Sequence, residues 1–284
     1  MIKITYVTIT FNAAAVLRRT LDSVLSQDYP EITHLIIDGA STDDTMKIVD
    51  DYIERSNAAD NGHRIHVTSE PDKGIYDAMN KGLRSVDGDY VCFLNAGDFL
   101  PSPDTVSQLI TAVARSSSAG LLPEGRKNSQ LSTLHSPLST LHSQLPSVLY
   151  GDTDIVDSNG NFLHHRRLAP PENLTWKSFR NGMLVCHQAF YARTDFAIAT
   201  PYNQEYRYSA DVDWCIRIMK AAAKENVPML NLHMVVANYT QEGQTTLHHR
   251  ESLKERYRVM ECHYGRVQTF FMHCWFIIRA VLKS

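Results

Sequence analysis

The chain has 284 residues, 43% hydrophobic and 21% charged, with a formal net charge of −3. That length and mixture suit one large globular domain or two small ones, and they exclude general disorder. With no broad cationic field and no long basic run, nucleic acid is excluded as the expected partner.

Five scattered cysteines, Cys92, Cys186, Cys215, Cys262 and Cys274, are odd in number and have no CxxC spacing, so neither a zinc site nor a redox pair is expected. The opening MIKITYVTITFN has Lys3 as its only basic residue and alternates with Thr, reading as a first strand rather than a secretory signal. A cytoplasmic protein is expected.

In chain order, Ile2–Thr10 is β-branched and apolar and gives way at Asn12 to a segment with Leu17, Leu21, Val24 and Leu25 on one helical face. The grammar repeats with a strand at His34–Ile37, a polar turn at Asp38–Asp44 and a helix bearing Met46, Val49 and Ile53. A third round runs from Arg64–Ser69 through Glu70–Gly74 to Ile75, Met79, Leu83 and Val86, and Tyr90–Leu94 is the fourth strand. Alternating strands and helices with short connections predict a Rossmann-like three-layer α/β/α sandwich on a mostly parallel sheet.

Ligands of open α/β sheets bind beyond the carboxyl ends of the strands. The turns at those ends hold Thr10-Phe11-Asn12, Asp38-Gly39-Ala40-Ser41, Glu70-Pro71-Asp72-Lys73-Gly74 and Asn95-Ala96-Gly97-Asp98. Each Asp taken alone is an ordinary turn or cap residue. Three on one rim, Asp38, Asp72 and Asp98, suit a phosphate only through a divalent cation, and hard oxygen ligands select Mg2+ or Mn2+. GxGxxG and GxxxxGK[ST] are both absent.

The stretch ITYVTITFNAAAVLRRTLDSVLSQDYPEITHLIIDGASTDDT, followed by SEPDKGIYDAMNKGLRSVDGDYVCFLNAGD, resembles the nucleotide-sugar-binding half of family 2 glycosyltransferases of the GT-A fold, the colanic-acid-type surface-polysaccharide enzymes among them. The resemblance implies a nucleotide pocket lined by Thr10 and Asn12, with Asp38 on base or ribose and Asp72 beside them. It also implies that NAGD replaces the DxD-like metal motif, leaving Asp98 as the main carboxylate because Asn95 stands where many members have Asp.

Further on, SADVDWCIRIM at 209–219 offers Asp211 and Asp213 ahead of a helix with Trp214, Cys215, Ile218 and Met219 on its apolar side. Acidic residues in a first turn favour the helix macrodipole without any catalytic role. The resemblance instead aligns this segment with an "ED" motif: Ala210 replaces the Glu, Asp211 falls on the general base, and Asp213 is the reserve. Cys186-His187-Gln188 precedes an apolar strand at Ala189–Ala192; a satisfied core histidine and an acceptor-site residue, as in relatives, both remain open. Tyr239–Thr246 resembles the family loop near the donor diphosphate, or is a plain polar loop. No QxxRW, the signature of processive polymerising relatives, is present, so the resemblance implies one sugar per encounter; His248-His249 reads as an exposed helix start rather than a metal site.

Residues 116–147 repeat LSTLHS at 131–136 and 138–143 and read as a low-complexity surface insertion. The expected division is therefore 1–115 for the nucleotide-sugar half, 116–147 for the insertion, 148–250 for the acceptor and catalytic half, and 251–284 for a helical tail. Val267–Leu282 is short of the roughly 20 apolar residues of a spanning helix. With Lys254, Arg256, Arg258 and Arg266 before it and Trp275 within, it suits either an amphipathic helix on an anionic membrane or a helix folded onto the domain.

The sequence thus predicts an inverting, metal-dependent transfer of a sugar from a nucleoside diphosphate donor to the hydroxyl of a glycan or lipid-linked saccharide acceptor, in surface polysaccharide synthesis. The alternatives are a glycosyl-phosphoprenol synthase and a sugar-nucleotide-binding protein without turnover.

Overall fold

The computed structural model describes residues 1–118, 145–241 and 249–281. The N-terminal grammar folds as predicted: β1 (Ile4–Thr10), α1 (Ala14–Leu25), β2 (Ile32–Asp38), α2 (Thr45–Ala59), β3 (Arg64–Ser69), α3 (Ile75–Leu83) and β4 (Tyr90–Phe93). Every residue of β1, β2 and β4 is buried. That is the pattern of central strands covered on both faces. β3 alternates in exposure because it forms the sheet edge.

After α4 (Thr105–Ser118) come β5 (Val148–Val156), β6 (Phe162–His165), β7 (Phe190–Arg193), α5 (Thr194–Ala199), α6 (Ala210–Glu225), β8 (Met229–Thr240), α7 (His249–Tyr264) and α8 (Arg266–Val281). α4 is unanticipated by the strand-and-turn pattern and carries through to Ser118, while Leu145, Pro146 and Ser147 are already buried against the sheet. The LSTLHS repeats lie outside the described residues, as do most of the loop after Thr240 and His248. β7 starts at Phe190 because His187–Ala189 forms a 3-10 turn.

The strands form one sheet in the order β3-β2-β1-β4-β7-β5-β6, with β8 paired to β5. β1, β2, β3 and β4 are parallel, and their register aligns Thr10 with Asp38 and Asp38 with Ser69. The predicted rim is therefore a single row of strand ends. β7 then joins β4 antiparallel through Tyr90↔Arg193 and Val91↔Ala192. This brings the chain before β7, the 3-10 turn, alongside the end of β4.

An aromatic cluster fixes α6 beneath that rim. The fully buried Trp214 stacks on Tyr202 at 4.8 Å and meets Phe93 and Phe190 edge-on, and Tyr202 stacks in turn on Tyr76 of α3. Truncating a buried Trp of this kind costs about 3–5 kcal/mol. On the other sheet face, Leu17, Leu21, Ile36, Val49 and Tyr52 form a smaller core. The buried His34 spans it, between Thr8 Oγ1 at 2.9 Å and the Tyr52 hydroxyl at 2.8 Å.

Candidate active site

A cavity of about 930 Å³ opens at the carboxyl ends of β1, β3 and β4 and reaches α6. Four of the six predicted site residues line it: Thr10, Asp72, Asp98 and Asp211. Thr10 ends β1 with its hydroxyl buried and unpartnered. Asp72 accepts the Gly74 N–H at 2.7 Å and lies so close to Gly39 that a Cβ there would come within 2.5 Å of its Oδ2. Gly39 is thus required by close approach.

Asn12 and Asp38 lie outside the lining. Asn12, at φ 47°, takes the Thr42 N–H at 2.8 Å and gives its own N–H to Ser41 Oγ at 2.8 Å. Asp38 is fully buried and accepts the Ser41 N–H at 2.9 Å and the Ser69 hydroxyl at 2.6 Å. Together these two residues clamp the loop that backs the pocket wall. Phe11, between Thr10 and Asn12, instead projects into the cavity and is 61% exposed. Sequence reading passed over it, although an apolar residue inside a polar strand-end turn is the available signal.

The NAGD turn is gripped from three sides. Gly97, at φ 100°, donates its N–H to Thr20 Oγ1 at 2.9 Å, and Thr240 Oγ1 donates to the Gly97 carbonyl at 2.6 Å. Asp98 accepts Gln188 Nε2 at 2.7 Å and the Thr240 N–H at 3.1 Å. Burial pushes its carboxyl from the usual 3.8 up to about 6, against the pull of these two hydrogen bonds and the His187 charge. The nearby Asn95 Oδ1 is buried and has no partner.

Across the cavity, Asp211 Oδ1 accepts the Tyr76 hydroxyl at 3.2 Å, and its Oδ2 lies 3.3 Å from His187 Nδ1. Asn95 Nδ2 lies 3.0 Å from His187 Nε2, and the other ring nitrogen, Nδ1, faces Asp211. Burial raises the Asp211 carboxyl, but the His187 hydrogen bond and charge, the Arg256 charge and the Val212 N–H outweigh it and hold the group below the ordinary carboxylate value. Asp211 stays ionised and able to take a proton.

Asp213 faces elsewhere. Its side chain is nearly buried, accepting Arg217 Nε at 2.7 Å and lying 2.8 Å from His263 Nε2 on α7. Asp213, a first-turn acid and the reserve base by sequence, is not among the lining residues and is the centre of a buried ionic clasp between α6 and α7. His187 and Gln188 both line the cavity, the first between Asn95 and Asp211 and the second on Asp98. Tyr76 and Tyr208 also line the cavity and carried no sequence signal.

Asp98, with the free lone pairs of its two oxygens, and the unpartnered Asn95 Oδ1 suit a hard divalent cation. Among the described residues no cluster of three or more His, Cys, Asp or Glu could hold one alone. A cation here would draw its remaining ligands from donor phosphate oxygens and water.

A parallel half-sheet with its ligand cavity at the strand ends, carboxylates at the ends of β4 and at the start of α6, defines a GT-A glycosyltransferase. Residues 5–195 match the Glycosyl transferase family 2 profile, and the chain belongs to that family. It is 30% identical over 248 residues to a PGL/p-HBAD biosynthesis glycosyltransferase of Mycobacterium bovis, covering 86% of this chain and 80% of the relative. A shorter match, 37% over 112 residues, links it to an uncharacterized glycosyltransferase of Mycobacterium tuberculosis, covering 39% of this chain and 40% of that one. Among solved structures, S. aureus TarS 1-349 in complex with UDP-GlcNAc superposes with a TM-score of 0.63 at 16% identity, over 92% of this chain and 65% of that one. The mannosyltransferase PcManGT from Pyrobaculum calidifontis, in complex with GDP-Man and Mn2+, gives 0.55 at 16% identity over 90% and 63%. At that identity the two structures support the fold alone.

Proposed function

We propose that this glycosyltransferase moves one sugar from a nucleoside diphosphate donor to an acceptor hydroxyl with inversion at the anomeric carbon. The observation that carries this reading is the joint lining of one cavity by Asp98 and Asp211, with His187 reaching both Asn95 and Asp211. Asp211 takes the proton of the acceptor hydroxyl as its oxygen bonds to the anomeric carbon. The bond from that carbon to the diphosphate breaks on the opposite face, so one displacement inverts the centre. His187 and Tyr76 hold the Asp211 carboxylate in place for that transfer. Mg2+ or Mn2+ held by Asp98 and Asn95 Oδ1 would supply charge stabilisation at the departing diphosphate.

Thr10, Phe11 and Asp72 form the donor-nucleoside end of the cavity, with Asn12 and Asp38 shaping its wall. On this reading residues 1–115 bind the donor and 148–250 the acceptor, a glycan or lipid-linked saccharide of surface polysaccharide synthesis. An ionised base favours a hydroxyl acceptor over a lipid phosphate, which needs little base catalysis. The tail, 251–284, would bring the enzyme to the cytoplasmic face of a membrane carrying such an acceptor. A panel of nucleotide sugars screened by thermal shift with Mn2+ identifies the donor. Release of nucleoside diphosphate on adding acceptor, with inverted anomeric configuration of the product by NMR, then tests the reaction. Retention of configuration would remove Asp211 from its role.

A further inference from the structure

α8 packs on α7 by one side only. Thr269 is fully buried, and His273 meets the Tyr257 ring at 4.7 Å and the Phe276 ring at 5.5 Å. Val267, Phe270, Phe271, Trp275 and Ile278 are between 50% and 73% exposed. At 3.6 residues per turn these five fall within one arc of about 140°, opposite Thr269, His273 and Phe276. An aromatic stripe of this length has no covering element among the described residues.

The charge around it is distinctive. Residues 249–281 carry six Lys or Arg and three Glu, a net charge of +3 in a chain whose total is −3. On α7, Arg250, Lys254 and Arg258 recur every fourth residue, all exposed and with no ion pair among the described residues. Arg266 opens α8 paired with Glu261 at 2.8 Å, its own side chain still 88% exposed. Among the described residues no helix is long and apolar enough to cross a membrane.

From this pairing of an exposed aromatic stripe with a basic row we infer that the α7–α8 hairpin is a docking surface for an anionic lipid bilayer, with α8 lying in the interface plane. Phe and Trp side chains enter the headgroup–acyl boundary while Arg and Lys meet lipid phosphates. A second copy of the chain is the less favoured occupant, because a two-fold contact here would bring the same basic helices toward one another. The hairpin also borders the cavity: Glu255 of α7 accepts the Arg207 N–H at 2.6 Å and the Tyr208 N–H, and Tyr208 lines the cavity. A bilayer held at this face would present an acceptor anchored in it to the enzyme, which deepens the acceptor reading above and rests on it only for that purpose.

The test is cosedimentation of the full chain with phosphatidylcholine vesicles and with vesicles containing about 30% phosphatidylglycerol, at low and high salt, without donor or acceptor. Because neither substrate is present, its failure leaves the transferase reading untouched, and loss of transfer leaves it untouched in turn. Binding to anionic vesicles should exceed binding to neutral ones about tenfold and weaken with salt. The pair Phe271→Asp with Trp275→Asp should remove it, and Lys254→Glu with Arg258→Glu should erase the anionic preference. Quenching of tryptophan emission by brominated acyl chains, present in wild type and reduced in Trp275→Phe, reads the same contact without a charge insertion. Protein left in the supernatant with anionic vesicles, or unchanged binding in the Phe271/Trp275 variant, overturns the inference. So does a concentration-dependent dimer that the same variant abolishes, which would assign the stripe to a second copy.

Discussion

Replacing Asp98 by Asn separates a functional carboxylate from a packing residue. In metal-free protein the Asp98 carboxyl sits at about 6 rather than 3.8. The folded state therefore binds the extra proton: its contribution to stability is full below 3.8 and is lost as pH rises through 6. At pH 7 the ionised group costs about 3 kcal/mol, two units and a little more at 1.36 kcal/mol each. Asn removes that cost, but its amide can accept from only one of the two donors, Gln188 Nε2 and the Thr240 N–H. The donor left over costs about 1–3 kcal/mol. The two terms nearly cancel, so the melting point of Asp98→Asn in EDTA should stay within about 5 °C of wild type. Turnover with saturating donor and Mn2+ should fall by about 10²-fold or more, the scale of losing a fixed electrostatic stabiliser. Mn2+ affinity of the wild type, measured by calorimetry, should weaken as pH drops below 6, because the cation must then displace a proton. Wild-type turnover in Asp98→Asn, or a melting point lowered well beyond that window, would refute the reasoning and return Asp98 to the role of a turn residue.

Asp211→Asn should lower turnover by about 10²-fold or more with donor affinity little changed, measured by steady-state kinetics and donor titration. Asp213→Asn should leave donor affinity near wild type but destabilise the fold by about 3 kcal/mol in urea denaturation, since it strips a buried partner from Arg217 and His263; full stability in this variant would refute the clasp. His34, buried between Thr8 and Tyr52, is held down at about 3 from 6.5. Its contribution is present above 6.5 and is lost as pH falls toward 3, at up to about 1.4 kcal/mol per unit. A His34→Leu variant should accordingly show a shallower loss of stability between pH 6.5 and 4.5, and an identical slope would count against it. Replacing residues 119–144 by a short Gly/Ser linker should preserve donor binding by thermal shift, because α4 and β5 complete their own packing on either side; insoluble protein would show that the segment contributes to the core.

The first half of the fold was legible because its signals are local. β1 to β4 announce themselves by β-branched runs, α1 to α3 by apolar spacing, and the strand-end turns by Gly, Asp and Asn at short range. The same locality explains what was missed. The pairs that meet at the cavity are distant in sequence: Asn95 with His187, Asp98 with Gln188, Tyr76 with Asp211. No periodicity encodes them; they exist because β7 runs antiparallel beside β4 and carries the 3-10 turn to the NAGD end. Asp211 and Asp213 sit one residue apart on opposite concerns for the same reason. Both read as first-turn acids, and only the arrival of α7 gives one of them His263 and leaves the other to the cavity.

The site's two carboxylates are pushed in opposite directions by this topology. Asp98 is enclosed by β8 and the 3-10 turn, and burial outweighs both its two neutral hydrogen-bond donors and the His187 charge, raising its carboxyl. Asp211 is less enclosed and meets the His187 ring and the charge of Arg256, so it is held down. Environments that separate two acids in one pocket are what assign them different roles. Asn95 is part of that separation. Its amide nitrogen lies 3.0 Å from His187 Nε2, so it abuts one ring nitrogen while the other, Nδ1, lies 3.3 Å from Asp211 Oδ2. On the proposed reading, an Asn at this position brings one charge fewer to the cation site than an Asp would and holds the ring that faces Asp211.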